Sequence, residues 1–255
     1  MKNVLSGFIV LSLMFGMYLT SACSGDDDPN NSESDTDTDT DTDTDTDTDT
    51  DTDTEIVWDF YENFDEFNAG DYIVASAGAP WECWSDPPLP EEDAQISDAM
   101  ALSKPNSLYI VDNNDVMLML NYESGHYLIE FDMFIEEGKT GYYNFQQLFD
   151  SAGTGVWGLS AYFYSGGVGN FQVGDAGEAI GFEFQDGEWF TCSHEIDIDG
   201  DLATVTIAGT EIYSWAWSMA QGGNPPGNLD GIDFYGMPDP PGAGQYFDNV
   251  RIREL

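Results

Sequence analysis

The sequence predicts an all-β domain, a sandwich or a barrel of antiparallel strands. From residue 55 onward, no long segment has the 3.6-residue period of a helix. Short apolar runs alternate instead with turns of Gly, Asn, Asp and Pro, and the chain holds 27 Gly. Aromatic residues make up 14% of the chain, which suits strands that pack on a core. Residues 55–255 are numerous enough for a single domain of this kind.

The first 22 residues have the pattern of an export signal. Lys2 is followed by a mostly apolar run at 4–19, and small residues precede Cys23. The junction at Cys23 resembles the lipobox of bacterial lipoproteins, which implies cleavage before this cysteine and a lipid on its sulfur. An uncleaved membrane helix is the alternative, because the run is long enough to span a bilayer. Ser24 and the acidic run 26–28 resemble the sorting signals of surface-displayed lipoproteins, which implies display at the bacterial outer membrane.

Residues 23–54 are predicted to form a disordered acidic tether. The segment ends in ten Asp-Thr dipeptides, at 35–54. This run has no apolar face, so it buries no surface that would offset the entropy lost on ordering. Repulsion between its carboxylates extends it, and its twenty residues reach at most about 65–70 Å. We expect a spacer between membrane and domain, with weak cation binding as a second possibility.

The domain is strongly acidic. The chain has 49 acidic and 5 basic residues; without the 14 acidic residues and Lys2 of the first 54 positions, 35 acidic and 4 basic residues remain, a net charge of −31. Such a surface repels phosphate backbones, which excludes nucleic acid as a partner. It also repels anionic lipids, so the only expected membrane contact is the anchor. Divalent cations are the natural counter-charge, although solubility or a salty habitat explains the acidity equally well.

Two cysteines remain for the domain when Cys23 carries the lipid. A disulfide between Cys83 and Cys192 is expected, because disulfides persist outside the cytoplasm. The alternative is two separate buried thiols, since Cys192 has the same strand parity as apolar Phe190 and Ile196.

The strongest strand pattern lies at 125–135, where the odd positions from 127 onward are all apolar and are expected to face the core. Segments 81–89 and 222–227 are predicted loops because of their Pro and Gly content. Asp199-Gly200 is a signal for a short hairpin turn between two strands. Further strands are predicted at 107–111, 116–120, 142–149, 157–164, 181–184, 189–198, 203–207, 211–217, 232–235 and 246–253.

Several short motifs resemble those of concanavalin-A-like (laminin-G-like) jelly-roll domains of bacterial surface proteins. The resemblance covers most of residues 55–255. It implies two packed antiparallel sheets, and a lectin, a carbohydrate-binding module, an adhesion module or a glycoside hydrolase. The motifs are Asn-Phe-Asp-Glu-Phe at 63–67 with Gly70, Trp-Glu-Cys-Trp-Ser-Asp-Pro at 81–87 with Glu-Asp-Ala at 92–94, Ser-Lys-Pro-Asn-Ser-Leu at 103–108, and Tyr-Phe-Asp-Asn-Val-Arg-Ile at 246–252.

The resemblance also implies a structural calcium ion. In related jelly rolls the first and last strands are neighbours, and a carboxylate near each holds Ca²⁺ with backbone carbonyls. Asp65 and Asp248 match those places. Because Ca²⁺ takes six to eight oxygen ligands, the two side chains would need help from carbonyls and water.

The motif Glu195-Ile196-Asp197-Ile198-Asp199 is the one candidate for catalysis. Period two places Glu195, Asp197 and Asp199 on one strand face. The motif is similar to the Glu-x-Asp-x-(x)-Glu strand of glycosidases with this fold, which supplies a nucleophile, a helper and a general acid. Asp199, however, is one methylene shorter than Glu and adjoins the turn at Gly200. We therefore favour a solvated strand face leading into a hairpin.

A polar and aromatic surface is the candidate for ligand binding. Aromatic rings offer flat apolar faces to the C–H groups of sugars, while amides and carboxylates bind the hydroxyls. Alternate residues of strands 142–149 and 157–164 would form the floor if both strands direct them to the same side, with two tryptophans at its border. These residues are Tyr142, Asn144, Gln146, Tyr162, Tyr164, Trp81 and Trp84.

The sequence therefore predicts a membrane-anchored extracytoplasmic module that binds a glycan or matrix polymer without cleaving it. A glycoside hydrolase that uses Glu195 and Asp197 is the alternative, and a structural or adhesion module without a small ligand is a third. No Walker, HExxH or Gly-x-Ser-x-Gly pattern supports another enzyme class. Apart from the calcium ion, no cofactor is expected.

Overall fold

The computed structural model describes residues 56–150, 155–174, 179–222, 226–238 and 241–255. The predicted export signal, Cys23 and the predicted tether lie outside the described residues. Thr54–Leu255 forms one compact unit. Within the described ranges, no helix has the length and apolar character needed to cross a membrane.

The described part of the chain contains fifteen strands and one short helix, joined mostly by tight turns. In chain order the elements are β1 Phe60–Glu62, α1 Ile73–Ala77, β2 Trp81–Cys83, β3 Gln95–Ser97, β4 Ser107–Ile110, β5 Asp115–Tyr122, β6 His126–Ile135, β7 Gly141–Leu148, β8 Val156–Tyr164, β9 Val168–Gln172, β10 Ile180–Glu183, β11 Trp189–Asp197, β12 Leu202–Ile207, β13 Thr210–Trp215, β14 Leu229–Tyr235 and β15 Gln245–Glu254.

The strands form two antiparallel sheets. The eight-stranded sheet has the order β13-β12-β11-β6-β15-β4-β3, with β1 paired to β15. The seven-stranded sheet has the order β10-β9-β8-β7-β14-β5-β2. The domain is therefore a two-sheet jelly-roll sandwich, and the predicted fold class is confirmed. The first and last strands are neighbours, as the family resemblance implies.

The core lies between the two sheets and consists largely of side chains from alternate strand positions. On β6 the odd positions from Ile129 to Ile135 are all fully buried, as predicted. On β7 the inward residues are Tyr143 and Phe145. The rings of Phe131 and Tyr143 meet edge to face across the sandwich, 4.9 Å apart. Residues of opposite parity on β7 therefore point to the outer side of the seven-stranded sheet.

Most of the predicted strands are confirmed, but the prediction for 81–89 is partly wrong. Trp81–Cys83 is strand β2, which pairs with β5. The other strands without a prediction are also short: β1 and β3 have three residues each, and β9 has five with Gly169 inside. Such short segments carry too few alternations to be recognised from the sequence, and they are ordered by pairing with neighbouring strands.

The expected disulfide is wrong in this structure, because Cys83 and Cys192 are both free and buried. Cys83 belongs to β2 at one end of the seven-stranded sheet, whereas Cys192 lies inside the eight-stranded sheet on β11. Burial raises the pKa of the Cys83 thiol to about 12, and burial also raises the pKa of Cys192. The alternative of two separate buried thiols is therefore the one observed.

Candidate functional site

The candidate site lies on the outer face of the seven-stranded sheet. In the pairing of β7 with β8, Tyr142 is opposite Tyr162 and Asn144 is opposite Ser160. These residues therefore share one face, as the strand parity predicts. Tyr142, Asn144 and Ser160 are buried although they point away from the core. Neighbouring residues on the outer side of the sheet cover them, so this part of the sheet is the floor of a recess rather than a flat surface.

The recess is a cleft of about 360 Å³, which we call the outer-face cleft. It crosses β8, β7, β14 and β5 in their order in the sheet, and the segment after β2 closes one side. The lining residues are Trp84, Asp115, Tyr142, Asn144, Trp157, Ser160, Tyr162, Gln221, Asp233 and Tyr235.

Aromatic rings supply the apolar surface of the cleft. The indoles of Trp84 and Trp157 are nearly parallel, with centroids 6.5 Å apart and 8° between the planes. Tyr142 packs against Tyr162 at 4.9 Å and stands perpendicular to Tyr235 at 6.0 Å. The backbone N–H of Trp84 donates to the carbonyl of Asp115 at 3.1 Å, which ties the segment after β2 to strand β5.

A hydrogen-bonded network supplies the polar surface. Asn144 Nδ2 donates to Asp233 Oδ2 at 2.5 Å. The Gln146 amide lies 2.6 Å from Asn144 Oδ1. The same end of the Gln146 amide lies 2.7 Å from the indole nitrogen of Trp157. Gln146 therefore sits beneath the cleft and fixes the orientation of Asn144 and Trp157.

Asp115 and Asp233 form a carboxyl pair in the cleft, in which Asp233 is buried and Asp115 is half-buried. The two side chains hydrogen-bond to each other, and burial raises the pKa of both. The charge of Asp233 raises the pKa of Asp115 further. Their Oδ1 atoms are buried and find no other hydrogen-bond donor among the described residues. A proton held between the two carboxyl groups leaves the pair with one negative charge at neutral pH.

The hydroxyl of Tyr142 completes the polar floor. It donates to Ser160 Oγ at 3.2 Å. Burial raises its pKa above the ordinary value, and the charge of Asp233 raises it further. Tyr142 is therefore a neutral hydroxyl at physiological pH, able to donate as well as accept.

An irregularity in the β7–β8 pairing brings Trp157 into the cleft. Strict alternation would place it with Leu159 and Ala161, which face the core. The register shifts between Phe145 and Gln146, so that Gln146 is opposite Trp157. A β-bulge of this kind redirects a side chain to the other face of a sheet.

Of the seven residues predicted to bind ligand, four line the cleft: Trp84, Tyr142, Asn144 and Tyr162. Gln146 supports the floor from below. The ring of exposed Tyr164 stacks parallel to Tyr162 at 6.4 Å, beside the cleft.

The prediction for Trp81 is wrong, because this side chain belongs to the core. Only 2% of its surface is exposed. Its ring packs against Phe64 and Phe234, at 5.9 Å in each case. As a residue of strand β2 rather than of a loop, it points inward, and Glu82 points outward.

Six lining residues are absent from the sequence-based prediction. They come from separate parts of the chain, and only the sheet order brings them together. Asp115 and Asp233 offered a weak signal, since each is an acid at a strand position of outward parity. The six are Asp115, Trp157, Ser160, Gln221, Asp233 and Tyr235.

The alternative catalytic motif lies on the other side of the sandwich. Glu195 and Asp197 point outward from β11 of the eight-stranded sheet, while the neighbouring Ile196 is buried. Glu195 bonds to His126 Nε2 at 2.8 Å, and Asp197 Oδ1 accepts from the N–H of Gly200 at 2.7 Å. Asp199 follows the end of the strand, in an exposed turn. The three acids therefore do not share one strand face, and none of them lines the cleft.

The predicted calcium ligands are occupied by hydrogen-bond donors. Asp248 accepts from the N–H groups of Leu102 and Ser103 at 2.8 and 2.9 Å, and from Ser103 Oγ at 2.8 Å. Asp65 accepts from Asn63 Nδ2 at 2.9 Å and from the N–H of Asn106 at 3.1 Å. N–H groups aimed at these oxygens oppose a cation, so the two residues do not fit a calcium ion. Among the described residues, no three His, Cys, Asp or Glu side chains are grouped as metal ligands.

No protein-family model matches the chain, and no curated protein sequence matches it. Among solved structures, the catalytic domain of a glycoside hydrolase family 131 protein from Coprinopsis cinerea has a TM-score of 0.48 and 13% identity, covering 78% of this chain and 94% of that one. A sialidase has a TM-score of 0.47 and 13% identity, covering 72% of this chain and 18% of that one. A family 7 alginate lyase has a TM-score of 0.45 and 12% identity, covering 62% and 82%. Because these TM-scores are below 0.5, the likenesses assign neither a family nor an activity.

Proposed function

We propose that the outer-face cleft binds a glycan and that the protein does not cleave it. The observation that carries this proposal is the combination of aromatic rings with a buried hydrogen-bonding floor in one recess of about 360 Å³. Rings of this kind contact the C–H faces of a pyranose, while amide, hydroxyl and carboxyl groups bind its hydroxyls. The recess therefore offers both kinds of contact that a sugar ring makes.

The position of the tryptophans supports a sugar-sized ligand. The planes of Trp84 and Trp157 are almost parallel, with centroids 6.5 Å apart, and both indoles line the cleft beside the polar floor. Asn144 and Ser160 also line the cleft and bring hydrogen-bonding groups to it. Their side chains are held by Asp233 and Tyr142, so the floor is ordered before a ligand binds. Such preorganisation lowers the entropic cost of binding.

The arrangement of the carboxyl groups supports binding rather than hydrolysis. Retaining glycosidases hold two carboxyl groups about 5–5.5 Å apart, and inverting enzymes about 6.5–9.5 Å apart. Asp115 and Asp233 hydrogen-bond directly to each other, so no sugar or water separates them. Glu195 and Asp197, the residues of the alternative hydrolase, stand on the outer face of the other sheet.

A glycan array probed with the full chain tests this function. We expect binding to at least one glycan class and no release of reducing ends from that glycan. Trp84→Ala should weaken the binding, while Trp189→Ala should leave it unchanged. Trp189 is a matched control because it lies on β11 and packs against Phe134, in the other sheet.

The remaining outcomes separate the alternatives. Release of reducing sugar that is lost in Glu195→Gln would favour the hydrolase. Absence of binding on the array, with capture of a protein partner in a pull-down, would favour a structural or adhesion module. Thermal melting of each variant identifies those that lose binding because they lose the fold.

We further propose that the protein is displayed outside the cytoplasm on a lipid attached to Cys23. The sequence pattern before Cys23 and the acidic segment after it support this placement. Extracellular polymers are then the accessible ligands. Labelling of wild type and Cys23→Ala with a radioactive fatty acid tests the anchor, and protease treatment of intact cells tests the display.

A further inference from the structure

We infer that the outer-face cleft selects uncharged glycans and excludes those that carry carboxylate groups, such as uronic or sialic acids. This inference rests on the proposed function, because it concerns the ligand of the same cleft. It follows from the acidic groups that line the cleft and from the absence of cationic side chains among the described lining residues.

Cations are absent from the lining. Among the described residues that line the cleft there is no Lys, Arg or His. A buried carboxylate of a ligand needs a charge-assisted partner, most often the fork of an arginine. Without one, transfer of the ligand carboxylate from water into the recess would be costly.

The arginines of the domain are engaged elsewhere. Arg251 Nε donates to Glu130 at 2.9 Å, and its Nη1 donates to Asp132 at 3.2 Å. Arg253 stacks on the ring of Trp58, 5.4 Å from its centroid. Both arginines belong to β15 of the eight-stranded sheet, so they cannot approach a ligand on the outer face of the other sheet.

Negative charge is present where an acidic sugar would enter. The Asp115–Asp233 pair lies in the lining and holds one negative charge at neutral pH, as described above. Glu92, in the segment before β3, is a further acid nearby, and its charge also raises the pKa of Asp115. Buried Glu92 accepts hydrogen bonds from the N–H groups of Ser85 and Leu89, so it is fixed in place. A second carboxylate beside these groups would be repelled.

The carboxyl pair suits hydroxyl groups instead. Only 4% of the Asp233 surface is exposed, and its Oδ1 atom has no other donor among the described residues. The carboxyl oxygens of half-buried Asp115 can accept hydrogen bonds from hydroxyl groups. Sugar hydroxyls are such donors, so an uncharged glycan can bond to the pair without adding charge.

The test uses the best array ligand and its chemically oxidised form. Oxidation of the C6 hydroxymethyl groups to carboxylates changes charge while the sugar rings are kept, and methyl esterification removes the charge again. Isothermal titration of the full chain should give at least roughly tenfold weaker binding for the carboxylate form, with binding regained by the ester. Raising the salt concentration should reduce the difference, because salt screens like-charge repulsion.

A variant connects the selectivity to the carboxyl pair. In the double variant Asp115→Asn with Asp233→Asn, the difference in affinity between the neutral and the oxidised ligand should shrink severalfold. A melting curve checks that the double variant folds. If the wild type binds the carboxylate form as tightly as the neutral form, the inference is overturned while the proposed function stands. Absence of binding to any glycan on the array would overturn the proposed function and the inference together.

Discussion

Replacing Asp115 by asparagine should change how the stability of the domain depends on pH. In an unfolded chain this aspartate has an ordinary pKa near 3.8, whereas in the fold burial and the charge of Asp233 raise its pKa far above that value. The folded chain therefore holds a proton that the unfolded chain has released. The stabilisation from this group is complete below pH 3.8 and is lost progressively as pH rises toward the raised value.

The size of the effect follows from that one proton. Between about pH 4 and the raised pKa, the free energy of unfolding falls by about 1.4 kcal/mol per pH unit on account of Asp115. The asparagine side chain of the Asp115→Asn variant would keep a donor for Asp233 but would not titrate. Between about pH 5 and pH 7, the free energy of unfolding of the variant should therefore rise by on the order of 3 kcal/mol relative to that of the wild type. For a domain of about 200 residues this corresponds to roughly 6–12 °C in Tm.

Thermal melting followed by circular dichroism at several pH values across this range measures the gain. Ionic strength is held constant, because the domain carries many other acids. Glu211→Gln is a matched control, since Glu211 is exposed on β13, and its curve of Tm against pH should run parallel to the wild type. Parallel curves for Asp115→Asn and the wild type would refute the shared proton.

Three further outcomes are expected. The thiols of Cys83 and Cys192 should react with a thiol reagent only after unfolding, and a reductant should leave Tm unchanged; a drop in Tm on reduction would indicate a disulfide. Addition of EDTA should leave Tm unchanged, because the oxygens of Asp65 and Asp248 already accept hydrogen bonds, whereas a rise in Tm on adding Ca²⁺ would favour the predicted calcium site. Cys23→Ala should abolish fatty-acid labelling, and labelling retained in this variant would contradict the anchor.

The floor of the cleft was predictable because it depends on alternation within long strands. Tyr142 and Asn144 on β7 and Tyr162 on β8 each belong to long runs, of eight and nine residues, in which period two decides the face. The closing strand was predictable for the same reason. Strand order within the sheets, by contrast, follows from contacts between distant segments and leaves little trace in local pattern.

The carboxyl pair could not be predicted in this way. Asp115 and Asp233 belong to β5 and β14, and only the pairing of these strands places both side chains on one face of the sheet. Trp157 was missed because the register shift reverses its parity. Trp81 was misplaced because three strand residues beside prolines resemble a loop. The most conspicuous acidic motif, at Glu195, lies away from the cleft. Strand parity predicts which residues share a face, but it does not predict which of the two sheets contains the strand.

The most direct test of the central claim is titration of wild type and Trp84→Ala with the best uncharged glycan from the array. We expect the wild type to bind, the Trp84→Ala variant to bind at least roughly tenfold more weakly, a loss of about 1.4 kcal/mol, and Trp189→Ala to bind like the wild type. Equal binding by Trp84→Ala and the wild type would place the ligand elsewhere and contradict the account.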